Sequence, residues 1–209
     1  MPVFFQHQIN EYTRLGVWKI EESEDFFKRN VPVHRDVTHP HKRLQHLAGR
    51  FLLQYLFPDF PYGLIQIADT RKPFLPNEQY HFSISHCADY AAAIVSSKNR
   101  VGVDVEIPKD KISVIADKYI SSREKEKIIN NQAYGNQAPD SQLLTLLWSA
   151  KESVFKWHGD GGVDFRQHIQ LFNQQKEKQT IDCFFAKNGS ELVIHYRVLD
   201  SVVLAWVLS

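Results

Sequence analysis

Twice along this chain, a stretch with apolar residues at helical spacing gives way to one in which apolar and polar residues alternate, and that order constrains the fold more than any single motif. In His41 to Phe57, the residues Leu44, Leu47, Phe51, Leu52 and Tyr55 predict an amphipathic helix, stopped by Pro58. A strand over 63–69 and a proline-bounded loop over 71–77 follow. Tyr80, Phe82 and Ile84 then alternate with His81, Ser83 and Ser85, and after a polar turn the apolar run Tyr90 to Val95 completes a β-hairpin. Val101, Val103 and Val105 alternate with Gly102, Asp104 and Glu106, which predicts the third strand of a meander. The second half begins with a helix capped by Ser121 or Ser122 through Glu124, then a polar loop over 130–140. Ser141 to His158 carries Leu143, Leu144, Leu147, Trp148 and Phe155 at helical spacing and ends at Gly159, Gly161 and Gly162. Strands are predicted over 169–172, 181–186, 192–199 and 202–208. The expectation is an α+β fold of two similar halves packed side by side, 1–100 and 101–209.

Lys and Arg total 25 against 24 for Asp and Glu, so no global field draws the chain to nucleic acid or anionic lipid, and any anion site must be local. The two cysteines, Cys87 and Cys183, suit small core residues in a reducing compartment better than a disulfide framework. The longest apolar run, Val202 to Leu208, is too short to span a bilayer. A cytoplasmic protein is expected.

The chemistry of the chain is concentrated in a few acids. Asp104 and Glu106 are two apart on a strand whose other face is valine, so both carboxylates project from one side. Either this is a solvent-facing surface, or the repulsion is relieved by a cation, and hard oxygen ligands suit Mg²⁺. Gly102, on the same face, is expected to leave room for a ligand against the backbone. In the second helix, Glu152 and Lys156 are four apart beside Trp148. Such a pair is either a surface ion pair or, functionally, a third metal ligand or general base with Lys156 and Lys151 neutralising phosphate.

Ser85-His86, at the end of a strand, can donate hydrogen bonds to a phosphate. A Ser–His–Asp triad with Asp89 or Asp104 lacks the Gly-x-Ser-x-Gly elbow. Lys42, Arg43, Arg50, Arg71 and Lys72 could converge on an anion or solvate the surface. His34, His39, His41 and His46 invite a zinc reading, but no regular Cys/His ligand pattern supports it.

Taken in order, Arg71-Lys72-Pro73, then FSISHCADYAAAIVS (82–96), VGVDVE (101–106) and LLWSAKESVFK (146–156) resemble the 4′-phosphopantetheinyl transferases of the surfactin-synthetase-activating type. Relatives in that family read Gly-Lys-Pro, Phe-Asn-Ile-Ser-His-Ser, Gly-Ile-Asp-Ile-Glu and Trp-Ser-x-Lys-Glu-Ser-x-x-Lys at similar intervals. A weaker likeness covers Tyr119 to Glu124 and the Gly161-Gly162 loop, while Ser83, Cys87 and Arg71 depart from the usual Asn, Ser and Gly. The resemblance implies a pseudo-twofold pair of halves, each with a small mainly antiparallel sheet, and coenzyme A in the cleft between them. It implies Asp104, Glu106 and Glu152 as Mg²⁺ ligands and Lys156 at the phosphates. Ser85, His86, Lys72 and Pro73 correspond to coenzyme-contacting positions, and Arg43 and Arg50 lie on a helix that supplies phosphate contacts. Lys28, Arg29 and Arg35 are candidates for the 3′-phosphate.

The implied reaction transfers phosphopantetheine from coenzyme A to a serine of an apo acyl or peptidyl carrier protein, with Glu152, directly or through water, as base. Carrier docking is expected near Gly159 to Phe165, and the protein is expected to be a monomer. Two other readings remain: a Mg²⁺-dependent pyrophosphate hydrolase of a nucleotide, and a binding module that turns nothing over.

Overall fold

The computed structural model describes residues 3–32, 37–130, 140–200 and 202–209. β1 (Val3–Gln8) and β2 (Thr13–Lys19) are followed by the short helix α1 (Glu24–Asn30) and the long α2 (Pro40–Leu56). β3 (Gln66–Ile67) and β4 (Pro73–Phe74) form a minimal ladder, and β5 (His81–Cys87) pairs with β6 (Tyr90–Ser96). Next come β7 (Val101–Glu106), α3 (Ile112–Tyr119), the single turn α4 (Ser122–Glu124) and α5 (Ser141–His158). Strands β8 (Ile169–Gln175), β9 (Thr180–Phe185), β10 (Ser190–Leu199) and β11 (Val202–Leu208) complete the chain. The predicted loop over 130–140 lies almost wholly outside the described residues.

The strands form two antiparallel sheets, ordered β1-β2-β6-β5 and β7-β11-β10-β9-β8. Three apolar clusters show how they stack. Ala91, Ala93 and Val95 of β6 face Leu47, Leu52, Leu53 and Leu56 of α2. Ala92 and Ile94, on the other face of β6, join Leu15 and Val17 against Val101, Val103 and Val105 of β7 and Val202, Leu204 and Trp206 of β11. The far side of the second sheet, with Val203, Ala205 and Val207, packs against Leu143, Leu147, Ala150 and Val154 of α5. The layers run helix, sheet, sheet, helix, so each half is one sheet backed by one long helix, in accord with the expected α+β class.

The structure corrects the predicted meander. β7 is not laddered to β6; it pairs with β11 and forms an edge of the second sheet. β5 and β7 meet through side chains instead. The Ser83 hydroxyl accepts from Val103 N at 3.2 Å and the Ser85 hydroxyl from Val105 N at 3.3 Å, so two serines take the place of ladder carbonyls across the junction. An amide left unpaired there would cost about 1–3 kcal/mol. The predicted strand over 63–69 shrinks to Gln66–Ile67, preceded by a 3₁₀ turn at Tyr62–Leu64.

α5 has the predicted bounds. Asp140 caps its start by accepting from Leu143 N at 2.6 Å, and Gly159 ends it in the left-handed conformation at φ 81°. Lys151 is fully buried on its inner face. It donates to Phe165 O and Ile169 O, both at 2.7 Å, and pairs with Glu124 at 2.6 Å. Glu124 in turn closes the capping box with Ser121 and accepts from Leu171 N at 2.9 Å. Lys151 is thus a structural clamp, and its expected role at phosphate is overturned by burial.

Gly102 leaves no room for a ligand either, because α5 already fills the space. A Cβ at position 102 would lie 2.0 Å from Ser153 O and 2.6 Å from Trp157 N. Both obstacles are helix backbone, so relief requires moving α5 off the sheet. Gly102→Ala is expected to lower the unfolding free energy by about 3 kcal/mol, at the upper end for overpacking. Urea unfolding checks this, and an unchanged midpoint would show that α5 is not seated as described.

Candidate active site

The junction between the halves places one carboxylate where water cannot reach it. Asp104 projects from β7 toward α5 and is 2% exposed. Its Oδ1 accepts from the Ser85 hydroxyl at 2.8 Å and from Lys156 Nζ at 2.6 Å, while Lys156 also donates to Ser85 Oγ at 2.8 Å. With the Val105 amide, that uses the one donor and both acceptor positions of the Ser85 hydroxyl. Ser85 is therefore a connector and not a nucleophile, which disposes of the triad reading. The other oxygen, Asp104 Oδ2, is buried without a hydrogen-bond partner among the described residues.

Two further acids surround this knot. Burial, then the charge of Asp104, raises the Glu106 carboxyl above its usual range, and the same two causes push Glu152 up to about 7. Lys156 works in the opposite direction on both, joined at Glu106 by a Cys87 hydrogen bond and the charge of Lys109, and the rise wins at each. The site therefore carries an excess of negative charge that a cation would relieve. Among the described residues no three His, Cys, Asp or Glu side chains are gathered into a complete metal cage. The donor set nevertheless fits Mg²⁺, which takes hard oxygen ligands, commonly one or two carboxylates with waters and substrate phosphates, and Asp104 Oδ2 is a buried oxygen with nothing else to bind.

His86 stands exposed at the end of β5, and partial desolvation together with Lys156 holds its imidazole below the usual histidine range. The basic residues of α2 divide. Arg43 is occupied, with Nε and Nη2 both 2.8 Å from the Glu24 carboxylate and Nη1 donating to Val37 O at 2.8 Å. Lys28 pairs with the same carboxylate. Arg50 is buried, donates from Nε to His46 Nε2 at 3.0 Å, and leaves Nη1 without a partner among the described residues. Arg35 and His34 lie outside the described residues.

Lys72 and Pro73 are not brought to the acids. Lys72 lies over the C-terminal end of α5, 3.4 Å from Trp157 O, and the charges acting on it are those of Arg100 and Asp160. The two residues help line a separate cavity that also includes Arg100, His81 and His158. None of these last three stood out in the sequence, since each is a lone basic residue at a strand or helix end. A second unforeseen feature is an apolar groove beside Glu106, lined by Ile107, Ile112, Ile115 and Trp148 and edged by Lys109 and Lys111.

A sequence model of the 4′-phosphopantetheinyl transferase superfamily matches residues 100–207. Among curated proteins, enterobactin synthase component D of Salmonella austin is 34% identical over 119 residues, 57% of this chain and 49% of the relative. The protein of that name from Escherichia coli O157:H7 is 29% identical over 171 residues, 78% of this chain and 75% of the relative. The 4′-phosphopantetheinyl transferase AcpT of Escherichia coli O157:H7 is 27% identical over 139 residues, 62% of this chain and 68% of the relative. This chain thus spans about half the length of the first of these relatives and three quarters of the second.

The charge excess has a measurable consequence. In the folded chain Glu152 titrates near 7, against an ordinary value of 4.5, so between those values the folded state holds a proton that the unfolded state has lost. The stability this contributes is fully present below pH 4.5 and is lost as pH rises through about 7. Glu152→Gln, in chelator-treated protein, is therefore expected to melt higher than wild type at pH 8, with the difference shrinking toward pH 5. A melting difference that does not change with pH would contradict the reading.

Proposed function

The chain belongs to the 4′-phosphopantetheinyl transferase superfamily, and on that basis we propose that it transfers the phosphopantetheine arm of coenzyme A to a serine of an apo acyl or peptidyl carrier protein. We further propose the surfactin-synthetase-activating type, with two functional halves divided between Arg100 and Val101. The observation that supports this most is the knot of Ser85, Asp104 and Lys156, where residues from β5, β7 and α5 meet around a buried, half-satisfied carboxylate.

In the proposed reaction the carrier serine oxygen attacks the β-phosphorus of coenzyme A. A new phosphorus–oxygen bond forms, the bond to the bridging oxygen breaks, and 3′,5′-ADP leaves with that oxygen. Glu152 accepts the serine proton, directly or through water; a carboxyl poised near 7 is suited to that task at neutral pH. Lys156 is fixed by Ser85 and Asp104 at the mouth of the site and offsets charge on the phosphates. His86, exposed and held below the usual histidine range, offers a hydrogen bond to a phosphate oxygen, and Arg50, whose Nη1 is buried without a partner among the described residues, is assigned to the coenzyme on the resemblance. Arg43, Lys72 and Pro73 are assigned to the coenzyme on the resemblance alone. Asp104, Glu106 and Glu152 are the proposed ligands of Mg²⁺, which when bound supplies positive charge to the pyrophosphate.

The groove beside Glu106 supports carrier docking there. Its isoleucines and Trp148 offer an apolar seat, Lys109 and Lys111 attract an acidic helical partner, and Glu106 is part of its lining. The loop from Gly159 to Phe165 is the other proposed docking segment. Among the described residues no helix is long and apolar enough to cross a membrane, and both cysteines are free thiols; a cytoplasmic monomer is proposed.

Intact-mass spectrometry of apo carrier proteins incubated with the enzyme, coenzyme A and Mg²⁺ tests the proposal. The expected result is the gain of one phosphopantetheine with release of 3′,5′-ADP, and a rate lowered by at least ~100-fold in Asp104→Ala or Glu152→Ala. Cleavage of coenzyme A without any carrier would replace the transferase with a hydrolase. Full activity in either variant would remove the acids from the mechanism.

A further inference from the structure

The hairpin that carries Ser85 and His86 closes through a turn that its own residues do not favour. Cys87 and Tyr90 are the last ladder pair of β5 and β6, which leaves Ala88 and Asp89 to make the reversal. Ala88 does so in the left-handed region, at φ 47°. Glycine takes that conformation freely, whereas a Cβ there is strained. The turn is held from outside instead. Gln45 of α2, only 6% exposed, donates from Nε2 to Ala88 O at 2.7 Å. Ile20 N secures Asp89 O at 2.7 Å from the end of β2. The His41 ring meets the Asp89 carboxylate at 3.0 Å, but that pair is exposed and such pairs contribute little. Gln45 is thus the buried tie between the turn and α2.

Both residues that lead into the turn bear on the proposed site. After burial, the side-chain charges acting on His86 are those of Lys156, Asp104 and His41, so its ring lies between the acids and the first turn of α2. The Cys87 thiol donates a hydrogen bond to the Glu106 carboxylate. A shift of the turn is therefore passed to a coenzyme-contacting position and to a carboxylate assigned to Mg²⁺.

We propose that Gln45 is a positioning residue for the transfer reaction: by holding the Ala88-Asp89 turn against α2, it fixes the end of β5 where His86 meets the coenzyme. The inference rests on the transferase reading given above. Gln45 acts through the turn and not by contact with substrate. Without its donor, the strained turn spends part of its time in other conformations, and the apparent affinity for coenzyme A falls in proportion to the fraction that stays competent.

Gln45→Leu, which keeps the bulk and removes the donor, provides the test. Its KM for coenzyme A is expected to rise at least about tenfold, with kcat within about twofold of wild type. Amide hydrogen exchange across residues 86–91, measured without coenzyme, is expected to quicken. Adding Ala88→Gly, which lets the turn close without strain, is expected to return both toward wild type. A glutamine with a structural role alone would lower the melting temperature and leave KM unmoved. Unmoved KM in Gln45→Leu, unaltered exchange, or a raised KM that Ala88→Gly does not lower would each overturn the proposal. Active wild type with any of these results refutes the role of Gln45 alone. Wild type inert toward coenzyme A and every carrier refutes the transferase reading and this inference with it.

Discussion

A carboxylate sealed between two sheets and a helix is the constraint around which this molecule is organised. Asp104 cannot be solvated, so its charge has to be met by protein. One oxygen is met by Ser85 and Lys156, and the other is met by nothing among the described residues. That asymmetry is costly in a fold and useful in a site. The same burial raises Glu106 and Glu152, and the pull of Lys156, with Lys109 at Glu106, does not offset it. Stability is given up at the place where a cation and a pyrophosphate would restore it.

The rest of the architecture holds this arrangement in place. β7 is buried on both faces, with valines toward the first sheet and Gly102 and Asp104 toward α5. Because Gly102 lets the helix backbone come down onto the strand, Lys156 can reach Asp104 and Ser85 together. α5 is secured elsewhere as well: Lys151 ties its inner face to Glu124 and the approach to β8, and the Thr70 hydroxyl donates to Gly159 O at 2.9 Å at its end. Breaking a buried pair of the Lys151–Glu124 kind costs about 3–5 kcal/mol, so this end of the helix is not free to drift. Side chains held by a rigid helix over a rigid strand are preorganised, as the proposed chemistry requires.

Much of this was legible in the residues. The helical periods gave α2 and α5 nearly to the residue, and the alternation of valine with Gly102, Asp104 and Glu106 correctly separated the two faces of β7. The meander was misread because alternation reports faces and not partners; which strand β7 joins depends on β11, about a hundred residues away. β2 escaped notice since Leu15, Gly16, Val17 and Trp18 are all buried and show no alternation. Lys151 could have been placed, because it falls on the stripe of Leu144, Leu147 and Val154, where a lysine must be buried and paired. Arg43 could not, since its Glu24 partner comes from a helix the sequence did not reveal. The cavity at the end of α5 was equally hidden, being assembled from single residues of β5, β7, α5 and the turn before β4.

Asp104, Glu106 and Glu152 are proposed to hold a cation, and the raised carboxyls of Glu106 and Glu152 show that Lys156 only partly balances their charge. Calorimetric titration of Mg²⁺ into the protein with coenzyme A bound tests it most directly. One site is predicted in the wild type, weakened at least about tenfold in Asp104→Asn, which keeps the shape and removes the charge. Identical Mg²⁺ binding by the two proteins would contradict the account.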